Sequence, residues 1–564
     1  MQMTGAQMVI EALRLEGVKN VFGYPGGAVL NIYDEIYKQD HFKHFLTRHE
    51  QAAVMAADGY ARSSGDVGVA IVTSGPGFTN AVTGIATAYS DSTPMVIISG
   101  QVPTSLIGTD AFQEIDAVGI SRPCTKHNYL VKSASELPRI IKEAFYIARS
   151  GRPGPVHIDI PKDVTAEMAS FTYPDAIKMR TYNPTYKGNI KQIKKAAEAI
   201  AKAKKPVFYI GGGAVLAEAG DLIREIVELT KIPTVETLMA LGTIPHDHPQ
   251  RLGMVGMHGS YASNMAMSEA DLMIAFGPRF DDRVTGKLSE FAKHARIIHV
   301  DIDPSSIGKI VEIDYPIVGD LKHVLEEMIP IVKQKVDPDK YETWRNTLKR
   351  YNEIHPLGYK DSDAVLKPQW VVEKVGQMLG DKAVVTTDVG QHQMWAAQFY
   401  PFSYQRQWVT SGGLGTMGFG LPSALGAKIA NPKKTVINFS GDGSILMNIQ
   451  DLMTATEYNV PFVNIILNNN YLGMVRQWQT MFYQNRLAES VIEMQPDFVK
   501  LVESFGGVGY RVETKKDFEA ALEDAIKSNK VAMIDVVVNR NEHVLPMVPT
   551  GGALYNMILT DKEQ

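Results

Sequence analysis

Short apolar runs alternate with segments of helical periodicity along most of the chain. The runs are rich in Val and Ile, as in VGVAIV at 67–72 and TVINF at 435–439. Alternation of this kind predicts βαβ units, in which parallel sheets are covered by helices. The N-terminal stretch MQMTGAQMVIEALRLEGV predicts an amphipathic helix, which carries Glu11, Arg14 and Glu16.

Two polar stretches interrupt this alternation. Residues 173–191 are polar, contain proline and lack periodicity, and residues 336–367 are charged and end before Pro368. Both stretches predict linkers. A length of 564 residues is also too great for a single core. We therefore expect three parallel-sheet α/β domains at 1–175, 190–335 and 367–545, followed by a C-terminal tail at 546–564.

The two outer domains contain a repeat. Each has an apolar strand, a Ser-Gly-x-Gly turn, a helix, a proline and a second apolar strand. Any βαβ unit can share this arrangement, so the repeat alone leaves the relation between the two domains open. The two turns differ, because the first is Gly-Pro-Gly at 75–77 and the second is Gly-Asp-Gly at 441–443. Only the second copy offers a carboxylate.

The composition narrows the class of protein further. A net charge of −5 and an isoelectric point near 6.3 give no reason to expect nucleic acid or an anionic membrane as a partner. No apolar run approaches the ~18 residues of a membrane span, and the first residues lack the apolar core of a signal peptide. The single cysteine, Cys124, allows no internal disulfide and suits a reducing compartment. We expect a soluble cytoplasmic protein.

Polar residues follow two predicted strands of the third domain. Asp442 comes after the strand at 435–439, and an Asn triplet at 468–470 comes after the strand at 462–467. A right-handed crossover brings such strands together, so that a carboxylate and an amide oxygen converge on a site suited to Mg²⁺. The flanking glycines allow close backbone approach, and the N–H groups of a helix beginning near Ser444 point at an anion. Gly-Asp-Gly alone, however, is often only a turn.

Two further segments suggest chemistry but also have plain structural explanations. Glu50 lies on the first turn of a predicted helix in FLTRHEQAAVMAADGYAR, among small and apolar neighbours. A carboxyl group in such a dry environment can share a proton, although an acidic residue also simply favours a helix N-terminus. The segment SGGLGTMGFGLP at 411–422 is too glycine-rich for a packed element and too apolar for a flexible linker, yet its Met417 could fill a core.

Together these motifs resemble those of the thiamine-diphosphate enzymes. Gly-Asp-Gly followed by Asn-Asn at this spacing is similar to the family's diphosphate-binding motif, and Arg-His-Glu-Gln-Ala-Ala with Gly-Tyr-Ala-Arg is similar to its pyrimidine-domain motif. The resemblance covers nearly the whole chain and is closest to the catalytic subunits of biosynthetic acetolactate synthases. Segments beyond the cofactor motifs also carry it, namely GRPGPVHIDIPKDV, MHGSYASNMAMSEADLMIAFGPRFDDRVTG, GMVRQWQ and VLPMVPTGGAL.

The resemblance implies a pyrimidine-binding first domain and a diphosphate-binding third domain for thiamine diphosphate. Asp442, Asn469 and the backbone carbonyl of Tyr471 would be the magnesium ligands, and Glu50 would activate the cofactor at its pyrimidine. The remaining implied contacts are the Gly415 carbonyl with the cofactor's amino group, Met417 as the wedge that bends the cofactor, and Gly390, Gln391, His392, Gly443 and Ser444 at the diphosphate.

The resemblance also implies FAD in a Rossmann-like central domain. VFYIGGGAV combines a strand, three glycines and a helix, which alone is a weak signal for a dinucleotide. With RFDDR and HVDIDPSSIG it resembles the FAD-binding domain of this synthase. The reaction needs no net redox step, so the flavin would be structural or ancestral. The implied FAD contacts are Arg152, His258, Arg279, Asp301 and Asp320.

The implied reaction joins a decarboxylation to the formation of a carbon–carbon bond. Pyruvate loses CO₂, and the remaining two carbons add to a second pyruvate, giving 2-acetolactate, or to 2-ketobutyrate, giving 2-aceto-2-hydroxybutyrate. This is the first common step of branched-chain amino-acid biosynthesis. The implied substrate residues are Gln113 near the reacting centre, Lys162 at the channel, Arg283 for the acceptor carboxylate and Trp478 for the shape of the pocket. Two of them also have a structural alternative: Arg283 could pair with Asp281 or Asp282, and Trp478 could belong to the core.

The resemblance further implies an assembly, because the two cofactor-binding domains of one site come from different subunits in this family. We expect a homodimer or tetramer, which a separate regulatory small subunit can accompany. Two alternatives stay open: another FAD-containing thiamine-diphosphate enzyme, such as a pyruvate oxidase, and a non-catalytic module that keeps the fold. The presence of Glu50, Asp442 and Asn469 argues against the second. Phe78 follows Gly-Pro-Gly where the family usually has a small residue, which puts the local packing in question.

Overall fold

The apolar runs form the strands of three six-stranded parallel sheets, which follow one another along the chain. This computed structural model describes residues 1–560, and residues 561–564, the end of the predicted tail, lie outside the described residues. The arrangement confirms the α/β class with three parallel-sheet domains.

The first sheet and its helices lie between residues 2 and 170. The strands are β1 (Gln2–Thr4), β2 (Asn20–Tyr24), β3 (Lys43–Leu46), β4 (Gly68–Val72), β5 (Met95–Gln101), β6 (His127–Leu130), β7 (Pro155–Pro161) and β8 (Met168–Ser170). The helices are α1 (Gly5–Leu15), α2 (Leu30–Lys38), α3 (Glu50–Ser64), α4 (Pro76–Asp91), α5 (Ala117–Ser121), α6 (Leu137–Arg149) and α7 (Lys162–Ala166). The parallel order is β3-β2-β4-β5-β7-β6, and β1 and β8 form a separate antiparallel pair.

The second sheet forms a central domain with a different strand order. Its strands are β9 (Pro206–Ile210), β10 (Thr234–Glu236), β11 (Arg251–Met254), β12 (Leu272–Phe276), β13 (Arg296–Asp301) and β14 (Tyr315–Val318). Its helices are α8 (Ile190–Lys202), α9 (Gly212–Leu216), α10 (Gly220–Thr230), α11 (Tyr261–Glu269), α12 (Asp282–Thr285), α13 (Leu321–Lys335) and α14 (Glu342–Ile354). The order β11-β10-β9-β12-β13-β14 is the 3-2-1-4-5-6 order of dinucleotide-binding folds.

The third sheet repeats the topology of the first. Its strands are β15 (Ala383–Thr387), β16 (Trp408–Val409), β17 (Thr435–Gly441), β18 (Val463–Asn468), β19 (Val508–Val512) and β20 (Ala532–Val537). Its helices are α15 (Pro368–Leu379), α16 (Gln391–Phe399), α17 (Gly420–Ala430), α18 (Leu452–Glu457), α19 (Gly473–Phe482), α20 (Phe498–Ser504) and α21 (Lys515–Lys527). The order β16-β15-β17-β18-β20-β19 matches that of the first sheet, so β4 and β17 hold equivalent places and the predicted repeat extends to the whole sheet.

Strand residues alternate between two apolar layers in each sheet. Ala70 and Val72 of β4 join one cluster, whereas Val69 and Ile71 join another on the opposite face. The cluster that holds Ala70 also includes Val436 of β17, so the first and third domains share one core. That shared core fixes how the two halves of the repeat pack together.

Helices α3 and α17 cross closely inside the shared core. A Cβ atom added at Gly426 would lie 1.9 Å from the carbonyl oxygen of Ala56, and one added at Gly59 would lie 2.3 Å from that of Ser423. Only glycine lets the two backbones approach this closely. The crossing ties the helix that begins at Glu50 to the helix that follows the segment 411–418.

The stretch 336–367, predicted as a linker, contains helix α14. The helix forms because Trp344 and Leu348, one turn apart, bury against the central domain, and the Trp344 indole N–H donates to the carbonyl of Pro206 at 3.0 Å. The charged residues around them lie on the exposed side and mask the short apolar stripe. Among residues 1–560, no helix has the length and apolar character needed to cross a membrane.

Candidate active site

The Gly-Asp-Gly turn and the Asn triplet lie side by side at the carboxyl edge of the third sheet. Strands β17 and β18 are parallel neighbours, and Gly441 pairs with Leu467. Asp442 is 1% exposed and Asn469 is 5% exposed, so both polar groups are withdrawn from solvent. The convergence predicted from the two strand ends is therefore present.

Burial gives the Asp442 carboxyl group a special electrostatic environment. Loss of solvent raises the pKa of Asp442 to about 7, and the charge of Asp535 acts in the same direction. The side-chain amide of Gln495 donates to Asp442 Oδ2 and also to Asn468 Oδ1, the latter at 3.1 Å. A buried carboxylate of this kind is stable when ionised only beside a cation or several donors.

The donor atoms around Asp442 fit a hard divalent cation. Asn469 supplies an amide oxygen, which accepts from the Tyr471 backbone N–H at 3.1 Å, so the two residues lie on one tight turn. Within residues 1–560, no group of three or more His, Cys, Asp and Glu side chains could hold a metal. Oxygens from one carboxylate, one amide and the backbone are instead a donor set that Mg²⁺ accepts while keeping positions for phosphate and water.

A glycine-lined cradle adjoins this cluster of oxygen atoms. A Cβ atom at Gly441 would lie 2.9 Å from His392 Nδ1, and one at Gly443 would lie 2.8 Å from Leu472 Cδ2. The buried Nε2 of His392 has no hydrogen-bond partner in the described structure, and burial lowers the pKa of this ring to about 3, so the ring is neutral. A neutral ring with an unpaired nitrogen beside exposed backbone suits a bound phosphate group.

The helix expected after Gly-Asp-Gly has another form. A 3₁₀ helix covers Ile445–Asp451, and only then does α18 begin. The chain kinks at Asn448 (φ −135°, ψ 30°), whose side-chain amide donates to the Gly418 carbonyl at 2.7 Å. This long-range hydrogen bond favours the kink over a regular α-helix.

The segment 411–418 forms a loop that is fixed at its end and open at its middle. Gly418 donates its N–H to Asp388 Oδ1 at 2.7 Å. Leu414 is 47% exposed, Gly415 adopts a φ of 68°, and Met417 is half-buried. Met417 therefore lines a cavity wall and does not fill a core.

Glu50 and Gln113 lie at the equivalent edge of the first sheet. Glu50 is 8% exposed and accepts from the Asn80 side chain at 3.0 Å, while a Cβ atom at Gly77 would come within 3.3 Å of its Oε1. The carbonyl oxygen of Gln113 lies 2.7 Å from the place of a Cβ atom at Gly75. Glu50 and Gln113 thus both adjoin the Gly-Pro-Gly turn.

The candidate FAD contacts surround the switch point of the central sheet. Gly213 and Gly277, which follow β9 and β12, approach so closely that a Cβ atom at Gly213 would lie 2.9 Å from the Gly277 Cα. The buried His258 ring contacts the Pro546 carbonyl with Nδ1 at 3.1 Å. Arg152 donates to Ser92 Oγ at 2.8 Å, Arg279 donates to the Ser90 carbonyl at 2.8 Å, Asp301 accepts from the Asp303 N–H at 2.8 Å, and Asp320 caps α13.

The candidate substrate residues divide into two groups. The Arg283 side chain is 56% exposed, and its Nε lies 4.0 Å from Asp282 Oδ2, a contact too long and too exposed to occupy the guanidinium group. Trp478 of α19 is half-buried and faces Phe482 edge to face at 6.0 Å. Lys162, by contrast, is exposed at the start of α7.

One cavity of about 600 Å³ joins most of these groups. It runs from the central sheet to the carboxyl edge of the third sheet, where Asp442, Asn469 and Tyr471 lie. All of the candidate residues line it except Glu50, Gln113 and Lys162, which belong to the first domain. The other lining candidates are Arg152, His258, Arg279, Arg283, Asp301, Asp320, Gly390, Gln391, His392, Gly415, Met417, Gly443, Ser444 and Trp478.

Several residues of this site carry no recognisable signal in the sequence. Gln495 lies in a stretch without helix or strand, and only the fold shows that it donates to Asp442. Asp388 and Asp91 accept from the backbone of the 411–418 loop at its two ends. Asp388 could have been suspected because it follows directly after β15, but nothing in the pattern distinguishes Asp91 within α4.

Models of thiamine pyrophosphate enzymes match all three domains. The N-terminal TPP binding domain matches residues 3–120, the central domain matches residues 193–328, and the C-terminal TPP binding domain matches residues 388–536. The last match includes the Gly-Asp-Gly turn and the Asn triplet, and the first includes Glu50.

Relatives match over the whole length. The acetolactate synthase isozyme 3 large subunit of Escherichia coli (strain K12) is 50% identical over 570 residues, covering 100% of this chain and 99% of that protein. The acetolactate synthase large subunit of Haemophilus influenzae is 50% identical with the same coverage. A probable acetolactate synthase large subunit of Methanocaldococcus jannaschii is 48% identical, covering 99% of this chain and 95% of that protein. The chain therefore belongs to the thiamine pyrophosphate enzymes, in the group of acetolactate synthase large subunits.

Proposed function

We propose that this chain decarboxylates pyruvate and condenses the remaining two-carbon unit with a second pyruvate or with 2-ketobutyrate. The products are 2-acetolactate and 2-aceto-2-hydroxybutyrate. The observation that carries the proposal is the single cavity that joins the Asp442–Asn469 cluster to the 411–418 loop and to Arg283 and Trp478. Cofactor anchoring and acceptor binding share that space, as carbon–carbon bond formation requires.

The third domain holds the charged end of the cofactor. Asp442, Asn469 and the Tyr471 carbonyl would hold Mg²⁺, which keeps the Asp442 carboxylate ionised despite its burial. When bound, thiamine diphosphate supplies the electron sink that accepts the electron pair left by departing CO₂. The diphosphate would lie against Gly390, Gln391, His392, Gly443 and Ser444, all of which line the cavity.

Glu50 would hold a proton at the pyrimidine ring of the cofactor. Its burial among Asn80, Gly77 and the small residues of α3 keeps water away from the carboxyl group. The Gly415 carbonyl would accept from the cofactor's amino group, and the Met417 side chain would support the cofactor from the cavity wall. These contacts orient the pyrimidine toward the reacting carbon.

The acceptor would bind through its carboxylate to Arg283. An exposed, weakly paired guanidinium group at the cavity wall is free to form a bidentate contact with a carboxylate. The Trp478 indole would bound the space for the acceptor's alkyl group, and Gln113 would lie near the reacting centre, with Lys162 at the channel. Together these side chains would exclude water from the reacting carbon, where protonation would give acetaldehyde.

FAD would occupy the arm of the cavity at the central sheet. The fit rests on the 3-2-1-4-5-6 strand order and on the close approach of Gly213 and Gly277 at its switch point. The guanidinium groups of Arg152 and Arg279 suit phosphate oxygens, and the Asp301 and Asp320 carboxylates suit hydroxyl groups. His258 would pack against the flavin nucleotide as a neutral ring, because burial lowers its pKa to about 4.

The active assembly would contain at least two copies of this chain. Glu50 and Gln113 do not line the cavity that holds the remaining groups, so a second copy would supply them. A homodimer is the smallest such assembly, and a tetramer can contain two of them. The relatives are named large subunits, which supports a separate small subunit as a further partner.

A product assay tests this function. Purified protein with pyruvate, thiamine diphosphate, Mg²⁺ and FAD should form 2-acetolactate without reducing the flavin. Glu50→Gln should lower kcat by about 10²–10⁴-fold, the range for loss of a proton-transfer group. Glu35→Gln, at a half-buried position of α2 that is not among the residues lining the cavity, is the control and should keep wild-type activity. Acetaldehyde, acetyl phosphate or peroxide as the main product would overturn the synthase assignment.

A further inference from the structure

The loop 410–418 is held by a buried ion cluster from the first domain. We propose that Asp58, Arg62 and Asp91 position this loop, and with it Gly415 and Met417, for binding of the cofactor. The consequence for the cofactor rests on the proposed roles of Gly415 and Met417, whereas the contact itself does not. These three residues are positioning residues because they act through the loop. Asp58 and Arg62 are not among the residues that line the cavity, and Asp91, which does line it, accepts from the backbone of Gly412 and Gly413 with its two carboxylate oxygens.

Asp91 binds the loop through its backbone. Its Oδ1 accepts from the Gly413 N–H at 2.7 Å, and its Oδ2 accepts from the Gly412 N–H at 3.0 Å. The Asp91 side chain is only 1% exposed. A Cβ atom at Gly413 would lie 2.9 Å from Asp91 Oδ1, so the approach depends on glycine at that position. One carboxylate thus fixes two successive peptide groups.

Arg62 binds a further residue of the loop, Thr410. Its Nη1 donates to Asp91 Oδ2 at 3.1 Å and to the carbonyl of Thr410 at 2.8 Å. The other edge of the guanidinium group, Nε and Nη2, is paired with Asp58, whose side chain is fully buried. The guanidinium group also lies over the Phe419 ring at 5.3 Å from its centre. Four hydrogen bonds from the Arg62 guanidinium group are therefore directed at the loop or at its counter-ions.

The charge balance of the cluster shows why the loop contacts matter. Two buried carboxylates share the Arg62 guanidinium group, and the Arg279 guanidinium group also lies near Asp91, beside Gly413. The N–H groups of Gly412 and Gly413 add two further donors that stabilise the buried charge on Asp91. Asp91 is also the last residue of α4, where a negative charge opposes the helix dipole. Asp91 therefore does not stabilise helix α4, but it does stabilise the loop.

The rest of the loop is arranged so that only its middle is free. At the far end Gly418 donates to Asp388, which belongs to the third domain itself. Between the two attachments, Thr416 Oγ1 lies 2.7 Å from Thr87 Oγ1 of α4, while Leu414 remains 47% exposed. The first domain therefore fixes one end of the loop and part of its middle, and the segment around Gly415 is presented to the cavity.

Hydrogen–deuterium exchange tests the contact directly. In the protein without cofactor, Asp91→Asn should speed exchange of the Gly412 and Gly413 amides by about 10-fold or more, because the amide side chain is a weaker acceptor and unbalances Arg62. The same variant should bind thiamine diphosphate with Mg²⁺ about 10-fold more weakly, as measured by calorimetry. Both readouts need no pyruvate, so they hold whichever product the enzyme makes.

A second carboxylate of the same kind provides the control. Asp271 accepts from two successive backbone N–H groups, those of Lys204 at 2.7 Å and Lys205 at 2.8 Å, at the amino end of the central sheet. Asp271→Asn should speed exchange of those two amides and leave cofactor affinity unchanged. If Asp271→Asn weakens cofactor binding as much as Asp91→Asn does, the effect is one of general stability and the proposal is overturned.

Other outcomes are equally decisive. Unchanged exchange of the loop amides in Asp91→Asn, or wild-type cofactor affinity despite faster exchange, would each overturn the proposal. If Asp91→Asn does not fold, Arg62→Lys decides in its place. Lysine keeps the charge but loses the planar fork that reaches Thr410, so faster exchange across 410–413 with weaker cofactor binding is expected, and wild-type values for both would refute the role.

Discussion

Phe78 fills a space directly beneath the Gly-Pro-Gly turn. The residue that departs from the family pattern is fully buried, and its ring stacks on the His157 ring with centroids 4.5 Å apart. Phe78→Ala should lower the free energy of unfolding by about 3–5 kcal/mol, because removal of a buried ring leaves a cavity. Urea denaturation measures this, with Tyr37→Ala at a 90% exposed position as a control that should change little. A decrease in the free energy of unfolding below about 1 kcal/mol would mean that the neighbouring residues move in and fill the cavity.

His157 makes the stability of the first domain sensitive to acid. Burial lowers the pKa of His157 to about 3, whereas an unfolded chain has a histidine pKa near ~6.5. As the pH falls through the unfolded value, only the unfolded state binds the proton, so the stabilisation present above ~6.5 is lost progressively down to the folded value. Both ring nitrogens are hydrogen-bonded, Nε2 to Ser99 and Nδ1 to Ser121, which keeps the neutral ring in place.

The comparison with His157→Gln isolates this effect. The free energy of unfolding of wild type should fall relative to that of the variant by up to about 1.4 kcal/mol per pH unit between pH ~6 and ~4. Asp159 is linked to His157 through Ser99, and burial raises the pKa of Asp159 to about 7, so it titrates in the same range. The comparison is therefore made in an Asp159→Asn background, where this carboxyl group is absent. A difference that does not change with pH would show that His157 is protonated in the folded protein.

At the scale of elements, the crossing of α3 and α17 depends on two glycines. Gly426→Ala places a methyl group 1.9 Å from the Ala56 carbonyl, so the helices must separate. We expect a loss of about 1–3 kcal/mol, typical of overpacking, together with weaker contact between Arg62 and the loop that precedes α17. Thermal denaturation measures the first effect. Gly358→Ala, at a position with nothing within 4 Å, is the control and should be neutral.

The elements themselves were predictable where the cause is local. Apolar runs become strands because both sheet faces are covered, and the Asp442 and Asn469 strand ends were placed side by side from the crossover rule. The 3₁₀ form of the helix after Gly-Asp-Gly and the helix α14 within the second predicted linker were not predictable. Each depends on residues far apart in sequence, through the hydrogen bond from Asn448 to Gly418 and through the burial of Trp344. The local sequence pattern carries no information about such distant partners.

At the scale of the whole molecule, the candidate residues fall into two separate groups. The cavity gathers Arg152 and the candidate residues of the central and third domains. Asp442 and Asn469 among them were predicted from strand ends, and most of the others from the family resemblance. Sequence reasoning missed Gln495 and Asp91 because both act through partners far away in the sequence, Gln495 on Asp442 and Asp91 on the 411–418 loop. Glu50, chosen from its motif, is buried in the first domain away from this cavity. Within a single chain, Glu50 is therefore separate from the group of candidates that line the cavity.

Mixed assemblies can test whether one active site combines Glu50 of one chain with Asp442 of another. Glu50→Gln and Asp442→Ala should each abolish activity alone. When the two variants are co-expressed with different tags and purified through both, each mixed dimer pairs an intact Glu50 with an intact Asp442 at one of its two sites, so about half of the wild-type activity should return. If each site were built within one chain, no site would contain both groups and no activity would return. Asp442→Ala mixed with Asn469→Ala is the matched control, because both changes lie in the third domain and leave every mixed site defective; activity there would mean that the site is divided differently.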